Sequence, residues 1–183
     1  MDKQKLNTIA KRLVEEPKGI LAADESTGTI EKRFDQINLE SNFENRRKYR
    51  DLLFSTDQLE KYMSGVILFD ETIKQDSDQN TSFVNLLKKK EISVGIKVDS
   101  CAKTFIGSEE EKITEGLDGL SSRIENYKEL GAEFTKWRAV YKISDKLPSA
   151  QSIKSNAHAL ARYAALVQEA KMVPIVEPDV LMD

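Results

Sequence analysis

Four apolar stretches of this sequence each run into ionisable residues, and those residues have the types and spacing for proton transfer. Ile20-Leu21-Ala22-Ala23 leads into Asp24-Glu25. Gly95-Ile96-Lys97-Val98 leads into Asp99, and Phe134-Thr135 into Lys136-Trp137-Arg138. Val173-Pro174-Ile175-Val176 ends in Glu177-Pro178-Asp179. Carboxylates set beside lysines in partly dry surroundings acquire shifted pKa values, as acid/base chemistry requires. Isolated buried charges are too costly, so these groups are expected to pair. Alternation along a strand puts Lys136 and Arg138 on one face, and Glu177 and Asp179 likewise. Trp137 then points the other way, toward covering helices. Asp70 and Glu71 add charge at the end of a further apolar run.

The segment after Asp24 has a second capability. Ser26, Thr27 and Thr29 supply hydroxyls, Gly28 permits close backbone approach, and Arg33 lies one helical turn on. Free N–H groups at a helix start favour an anion such as phosphate, and a guanidinium adds a bidentate contact. Plain helix capping uses the same residue types, so both readings stand. There is no Walker-type Gly-Lys-Ser/Thr sequence and no G-x-G-x-x-G, which argues against nucleoside triphosphate and NAD sites. Cys101 and His158, the only cysteine and histidine, carry no local catalytic signature and read as a small buried thiol and an ordinary helix histidine.

The elements that position these groups alternate. Leu6, Ile9 and Leu13 fall at helical spacing, and Pro17-Lys18-Gly19 closes that helix. Strands are expected at Ile20–Ala23, Ser64–Asp70, Ile92–Val98, Ala132–Ile143 and from Met172 onward. Helices are expected from about Thr29, over Phe43–Phe54 and over residues 81–90, whose terminal lysines suit the helix dipole. One further helical stripe is Ile113, Leu117, Leu120, Ile124 and Tyr127, ended by Gly131. Another is Ile153, Ala157, Leu160, Ala164 and Val167. Ser55-x-x-Gln58 reads as a capping box. Strand–helix alternation implies a parallel sheet covered by helices. An open doubly wound sheet and a (β/α)₈ barrel both fit.

The chain has 183 residues, a net charge of −3 and no apolar run near the length of a membrane span. With a pI near 5.4 it offers no global basic field for nucleic acid or an anionic membrane surface. Its first residues lack the apolar core of a secretory signal, and a single cysteine excludes an intrachain disulfide. The expectation is a cytoplasmic protein with neither a nucleic-acid nor a membrane partner.

Gly19–Arg33, Ser64–Glu71, Gly95–Asp99, Gly131–Ile143, Asn156–Ala164 and Val173–Asp179 resemble, in order, consecutive parts of the class I fructose-bisphosphate aldolases. The resemblance implies an α/β, (β/α)₈ TIM-barrel fold, here an incomplete barrel of about five parallel strands forming one partial domain over residues 1–183. It implies reversible Schiff-base cleavage of fructose 1,6-bisphosphate to glycerone phosphate and glyceraldehyde 3-phosphate, in glycolysis and gluconeogenesis, with no metal or other cofactor. By the same resemblance Asp24, Lys136 and Glu177 are catalytic. Ser26, Thr29, Arg33, Lys97, Arg138 and Asp179 bind substrate, with Asp179 where animal enzymes usually have glutamate and Thr29 replacing a common serine. The family's imine-forming lysine lies in a Leu-Glu-Gly-Thr-type motif on the sixth strand, and no such motif occurs in these 183 residues. The expectation is that the 183-residue polypeptide is inactive alone. It would then act in a homo-oligomer when full length, or with a complementary chain when split. Two alternatives are a non-catalytic or split aldolase fragment and a transaldolase-like lyase using Lys136.

Overall fold

The computed structural model describes residues 2–182. Helix α1 (Lys3–Leu13) leads to strand β1 (Gly19–Ala23), then helices α2 (Thr27–Asp35) and α3 (Phe43–Phe54). Strand β2 (Met63–Leu68), helix α4 (Phe83–Lys89) and strand β3 (Ser93–Lys97) follow. A two-stranded hairpin, β4 (Ala102–Thr104) and β5 (Lys112–Thr114), precedes helix α5 (Leu120–Leu130). Strand β6 (Phe134–Tyr141), helix α6 (Ala150–Glu169) and strand β7 (Val173–Val180) complete the order.

The main sheet is parallel throughout, with order β1-β2-β3-β6-β7. A doubly wound sheet reverses its strand order at a switch point, and this sheet does not. Crossovers of one hand, run in one direction, put the connecting helices on one face. Phe54, Phe83, Leu87, Leu120, Ile124, Leu160 and Tyr163, from α3 to α6, share one core with the sheet residues Val66, Leu68, Val94, Ile96 and Trp137. Trp137 is fully buried against Tyr163, with ring centroids 5.3 Å apart, as strand alternation requires.

The other face is concave. β1 and β6 are three strand intervals apart, about 14 Å in a flat sheet. Yet Asp24, just past β1, reaches Lys136 on β6 at 2.6 Å. The sheet therefore curls into a half-barrel, and the open doubly wound alternative is excluded. At the strand starts the concave face is closed by α1, whose Ile9 and Leu13 pack on Ile67 and Phe134. Gly65 and Gly95 leave room for the Phe134 ring; a Cβ on Gly95 would stand 2.3 Å from it. Among the described residues β1 and β7 each pair on one side only. No described helix is long and apolar enough to cross a membrane.

Three local expectations are corrected. Ile113 lies on strand β5 and Leu117 in the connection, so the stripe from Ile113 to Tyr127 is helical only from Leu120. Side chains that look helically spaced are divided by Gly116 and Gly119, both at positive φ. Ser55 does not open a capping box: it ends α3 and donates to Asp51 Oδ1 at 2.7 Å, while Gln58 adopts φ +61°. The buried face of α6 is Ser152, Asn156, Ala159, Leu160, Tyr163 and Val167, with Ile153 and Ala157 outward. Polar residues sit on that face because the loop before α5 needs partners. Asn156 donates to the Lys112 carbonyl at 3.0 Å and accepts from the Thr114 amide at 3.2 Å.

Candidate active site

The carboxyl ends of the strands converge on a cleft of about 390 Å³. It is lined by Asp24, Ser26, Thr29, Arg33, Lys97, Lys136, Arg138, Glu177 and Asp179, so every site residue expected from the sequence meets there. The volume lies within the range of small-molecule pockets. A larger hollow lies at the opposite ends of the strands, against Arg12, Lys18, Lys88 and Glu133. Parallel α/β folds place chemistry at the carboxyl ends, which selects the first cleft.

Lys136 is the hub. Its side chain projects from β6 into the concavity, and its Nζ lies 2.6 Å from Asp24 Oδ2 and 3.2 Å from Glu177 Oε2. Lys136 and Asp24 are both buried, whereas Glu177 is partly open to solvent. Burial pulls the lysine pKa down, but the hydrogen bond and charge of Asp24, reinforced by Glu177, outweigh it and hold the ammonium above its ordinary value. Lys136 is therefore a cation at neutral pH, with a carboxylate on either side.

Lys97 stands beside Lys136 in register across β3 and β6. It bonds Asp99, Nζ to Oδ1 at 2.7 Å, rather than the Asp24 carboxylate. Asp99 also accepts from the Cys101 amide at 3.1 Å and the Arg138 amide at 3.3 Å. Arg138 lies opposite Glu177 in register, but its guanidinium bonds the diagonal neighbour Asp179, Nε to Oδ2 at 2.8 Å. Every carboxylate of the cleft thus has a cationic partner, as the cost of isolated charge requires.

Ser26 caps α2: its Oγ accepts from the Thr29 amide at 3.4 Å and lies 3.0 Å from Thr29 Oγ1. Both hydroxyls line the cleft, so capping and an anion-facing position coexist. Arg33 is half exposed at the mouth, and its guanidinium is bonded to Glu25 rather than free for an anion. Glu25 is held in turn by Arg50 of α3, and these cations keep its carboxyl below the usual range although burial alone raises it.

Two further readings are corrected. Asp70 and Glu71 lie outside the cleft. Asp70 bonds Lys74 at 2.8 Å and the Tyr127 hydroxyl at 2.8 Å, and Glu71 bonds Arg46 at 2.6 Å. Residues past the end of β2 turn into a helical turn over Thr72–Lys74 and so leave the strand's alternation. Cys101 is an exposed cleft residue, not a buried thiol, with φ +74° and its Sγ 3.8 Å from Lys97 Nζ. His158 is an exposed residue of α6, away from the cleft. Arg50, Cys101 and the holding role of Glu25 were missed. The sequence offers no signal for Arg50, which stands among Arg46, Arg47 and Lys48 on α3 and is set apart only by its burial.

Comparison with known proteins bears directly on this arrangement. The family described as fructose-bisphosphate aldolase class-I matches residues 5–183. The chain belongs to the class I fructose-bisphosphate aldolases. It is 51% identical over 183 residues to a probable fructose-bisphosphate aldolase class 1 of Xanthomonas campestris, covering all of this chain and 55% of that protein. It is 52% identical over 182 residues to fructose-bisphosphate aldolase C-B of Danio rerio, covering 99% of this chain and 50% of the relative. A solved structure of Plasmodium falciparum fructose-bisphosphate aldolase, in complex with TRAP and a small-molecule inhibitor, superposes with a TM-score of 0.95 at 50% identity. That superposition covers 98% of this chain and 52% of the other. The half-barrel therefore has the fold of about half of a solved aldolase TIM barrel, and the chain spans about half the length of the curated relatives it matches.

Proposed function

We propose that the cleft forms one wall of a site that reversibly cleaves fructose 1,6-bisphosphate to glycerone phosphate and glyceraldehyde 3-phosphate through a lysine Schiff base. The observation that supports it best is Lys136 held between Asp24 and Glu177, the three residues to which the family resemblance gives catalytic roles. Carbon–carbon cleavage needs a base for a hydroxyl proton and a nearby cation. Asp24 is the carboxylate placed for the proton, with the Lys136 ammonium 2.6 Å from it. Glu177, partly open to solvent, exchanges protons on the opposite side of Lys136. Ser26, Thr29 and Arg33 line the end suited to one phosphate, with Arg33 exchanging Glu25 for the anion. Lys97, Arg138 and Asp179 bound the remaining wall.

The family's imine lysine belongs to a Leu-Glu-Gly-Thr-type motif that these 183 residues do not contain. Lys136 is a poor substitute. Its ammonium is doubly paired and its pKa is raised, whereas a Schiff-base nucleophile needs a free amine. Lys142 is paired with Glu110 outside the cleft. The transaldolase-like alternative therefore has no support in the geometry.

The test joins residues 1–183 to the remaining part of the Xanthomonas relative. The chimera is expected to cleave fructose 1,6-bisphosphate and to be trapped by borohydride with substrate; Asp24→Asn and Lys136→Met should each remove turnover. The 183-residue polypeptide alone should bind the sugar bisphosphate without trapping. Borohydride trapping on Lys136 of that polypeptide would overturn the assignment.

A further inference from the structure

Arg50 does not line the cleft, yet its contacts converge on the residue next to Asp24. Its side chain is 3% exposed. Nη1 bonds the Glu25 carboxylate, Nη2 donates to the Glu25 backbone carbonyl at 3.1 Å, and Nε donates to Thr72 Oγ1 at 3.4 Å. The guanidinium also lies 5.3 Å from the centre of the Tyr49 ring. A planar fork this fully used has little freedom. On the other side of Asp24, Ala23 is fixed in register with Leu68 of β2. Asp24 therefore sits between two anchors one residue away on either side.

We propose that Arg50 is a positioning residue for the Asp24–Lys136 pair: by gripping Glu25 through carboxylate and carbonyl together, it fixes the peptide that aims the Asp24 carboxylate at the Lys136 ammonium. A simpler role, as a mere counterion for Glu25, predicts the opposite sign in the right measurement. Removing a cation without moving Asp24 raises the Lys136 titration midpoint, because a like charge is lost. Releasing Asp24 lowers it, because the ammonium loses its nearest carboxylate. The other charged groups facing Lys136 are Glu177 on β7, Lys97 and Asp99 on and just past β3, and the Arg138–Asp179 pair above. None of them contacts Arg50 in a hydrogen bond or ion pair, so they are common to all the variants. The bearing on catalysis rests on the proposed aldolase reading; the coupling does not.

The experiment follows lysine side-chain nitrogens by NMR titration in the ¹⁵N-lysine-labelled chain, with Lys136 assigned by its loss in Lys136→Met. Arg50→Met is expected to lower the Lys136 midpoint by about one pH unit. In an Asp24→Asn background the same substitution should add no downward shift. Arg50→Lys keeps the charge but loses the two-pronged grip, and is expected to lower the midpoint too; it decides the matter should Arg50→Met fail to fold by circular dichroism. An unchanged or raised midpoint in a folded variant overturns the proposal, as does an equal drop in the Asp24→Asn background. Fructose 1,6-bisphosphate is then added to the unsubstituted chain. If it leaves the Lys136 signal unmoved, the aldolase reading suffers while the Arg50 comparison stands.

Discussion

The concave face of the half-barrel changes character within two residues along three of its strands. On β6, Phe134 is fully buried in apolar contacts, and Lys136 is held in a net of charge. On β3 the same step takes Gly95, flat against the Phe134 ring, to Lys97. On β7 it takes Ile175 to Glu177. The lower layer is a close-packed plug sealed by α1; the upper layer is a set of opposed charges open to solvent on one side. One sheet thus carries an apolar packed layer and a charged layer that lines the proposed site, two residues apart along β3, β6 and β7. The two layers should fail differently when altered.

The largest effect is expected in the lower layer. Phe134→Ala empties the space that two glycines were kept bare to admit, and should cost about 4 kcal/mol in denaturant unfolding. Gly95→Ala puts a methyl at 2.3 Å from the same ring and should cost about 3 kcal/mol. Adding Phe134→Leu should recover part of that loss. If Gly95→Ala is neutral, the ring is mobile and the layer is not a rigid plug.

The upper layer is expected to lose function before stability. Lys136→Met leaves Asp24 buried without its cation, but Glu177 retains solvent, so the cost should be about 2 kcal/mol. The pH dependence has a definite sign. A lysine whose folded pKa is raised contributes fully below its unfolded value of about 10.4 and loses that contribution as pH climbs through the folded value. The stability gap between wild type and Lys136→Met should therefore be constant near neutrality and close in strong alkali. Glu25 gives the mirror image. Its lowered folded pKa contributes above about 4.3 and is lost as pH falls through the folded value. Glu25→Gln should cost about 1 kcal/mol at neutral pH, less than that in acid. Urea unfolding across the pH range reads both, and a gap for Lys136→Met that widens in alkali would sink the assignment.

The sequence makes the five parallel strands and the convergence of the site legible for the same reason. Buried parallel strands are apolar except where they meet the cleft, so Asp24 and Lys97, at the ends of β1 and β3, and Lys136 and Glu177, within β6 and β7, mark it. The step from half-barrel to family rests on colinear segments, because periodicity alone left the doubly wound sheet open. What the pattern hid was long-range pairing. Arg50 looks like one more charge on a polar helix, and only the fold brings it to Glu25, 25 residues away in sequence. The hairpin of β4 and β5 was hidden by Ile113 and Leu117, which fall at helical spacing by coincidence of burial. Asn156, on the inner face of α6, serves that hairpin's backbone, a need no local pattern displays.

The smallest effect sharpens the comparison at the rim of the upper layer. Arg138 and Asp179 are paired at 2.5 Å, but their side chains are 45% and 34% exposed. Solvent screens such a pair, and holding two side chains in one geometry costs rotamer freedom. Asp179→Ala should therefore change stability by about 0.5 kcal/mol, and the difference should shrink in high salt. Its effect on ligand should be larger than its effect on folding. Arg138 would lose the partner that holds it over the cleft, and in the chimera fructose 1,6-bisphosphate should show a raised KM with kcat little changed. A loss of kcat with KM unchanged would move Asp179 from the rim into the reacting centre with Asp24 and Glu177. The charged layer would then extend two residues further up β7 than the pairing of Lys136 defines.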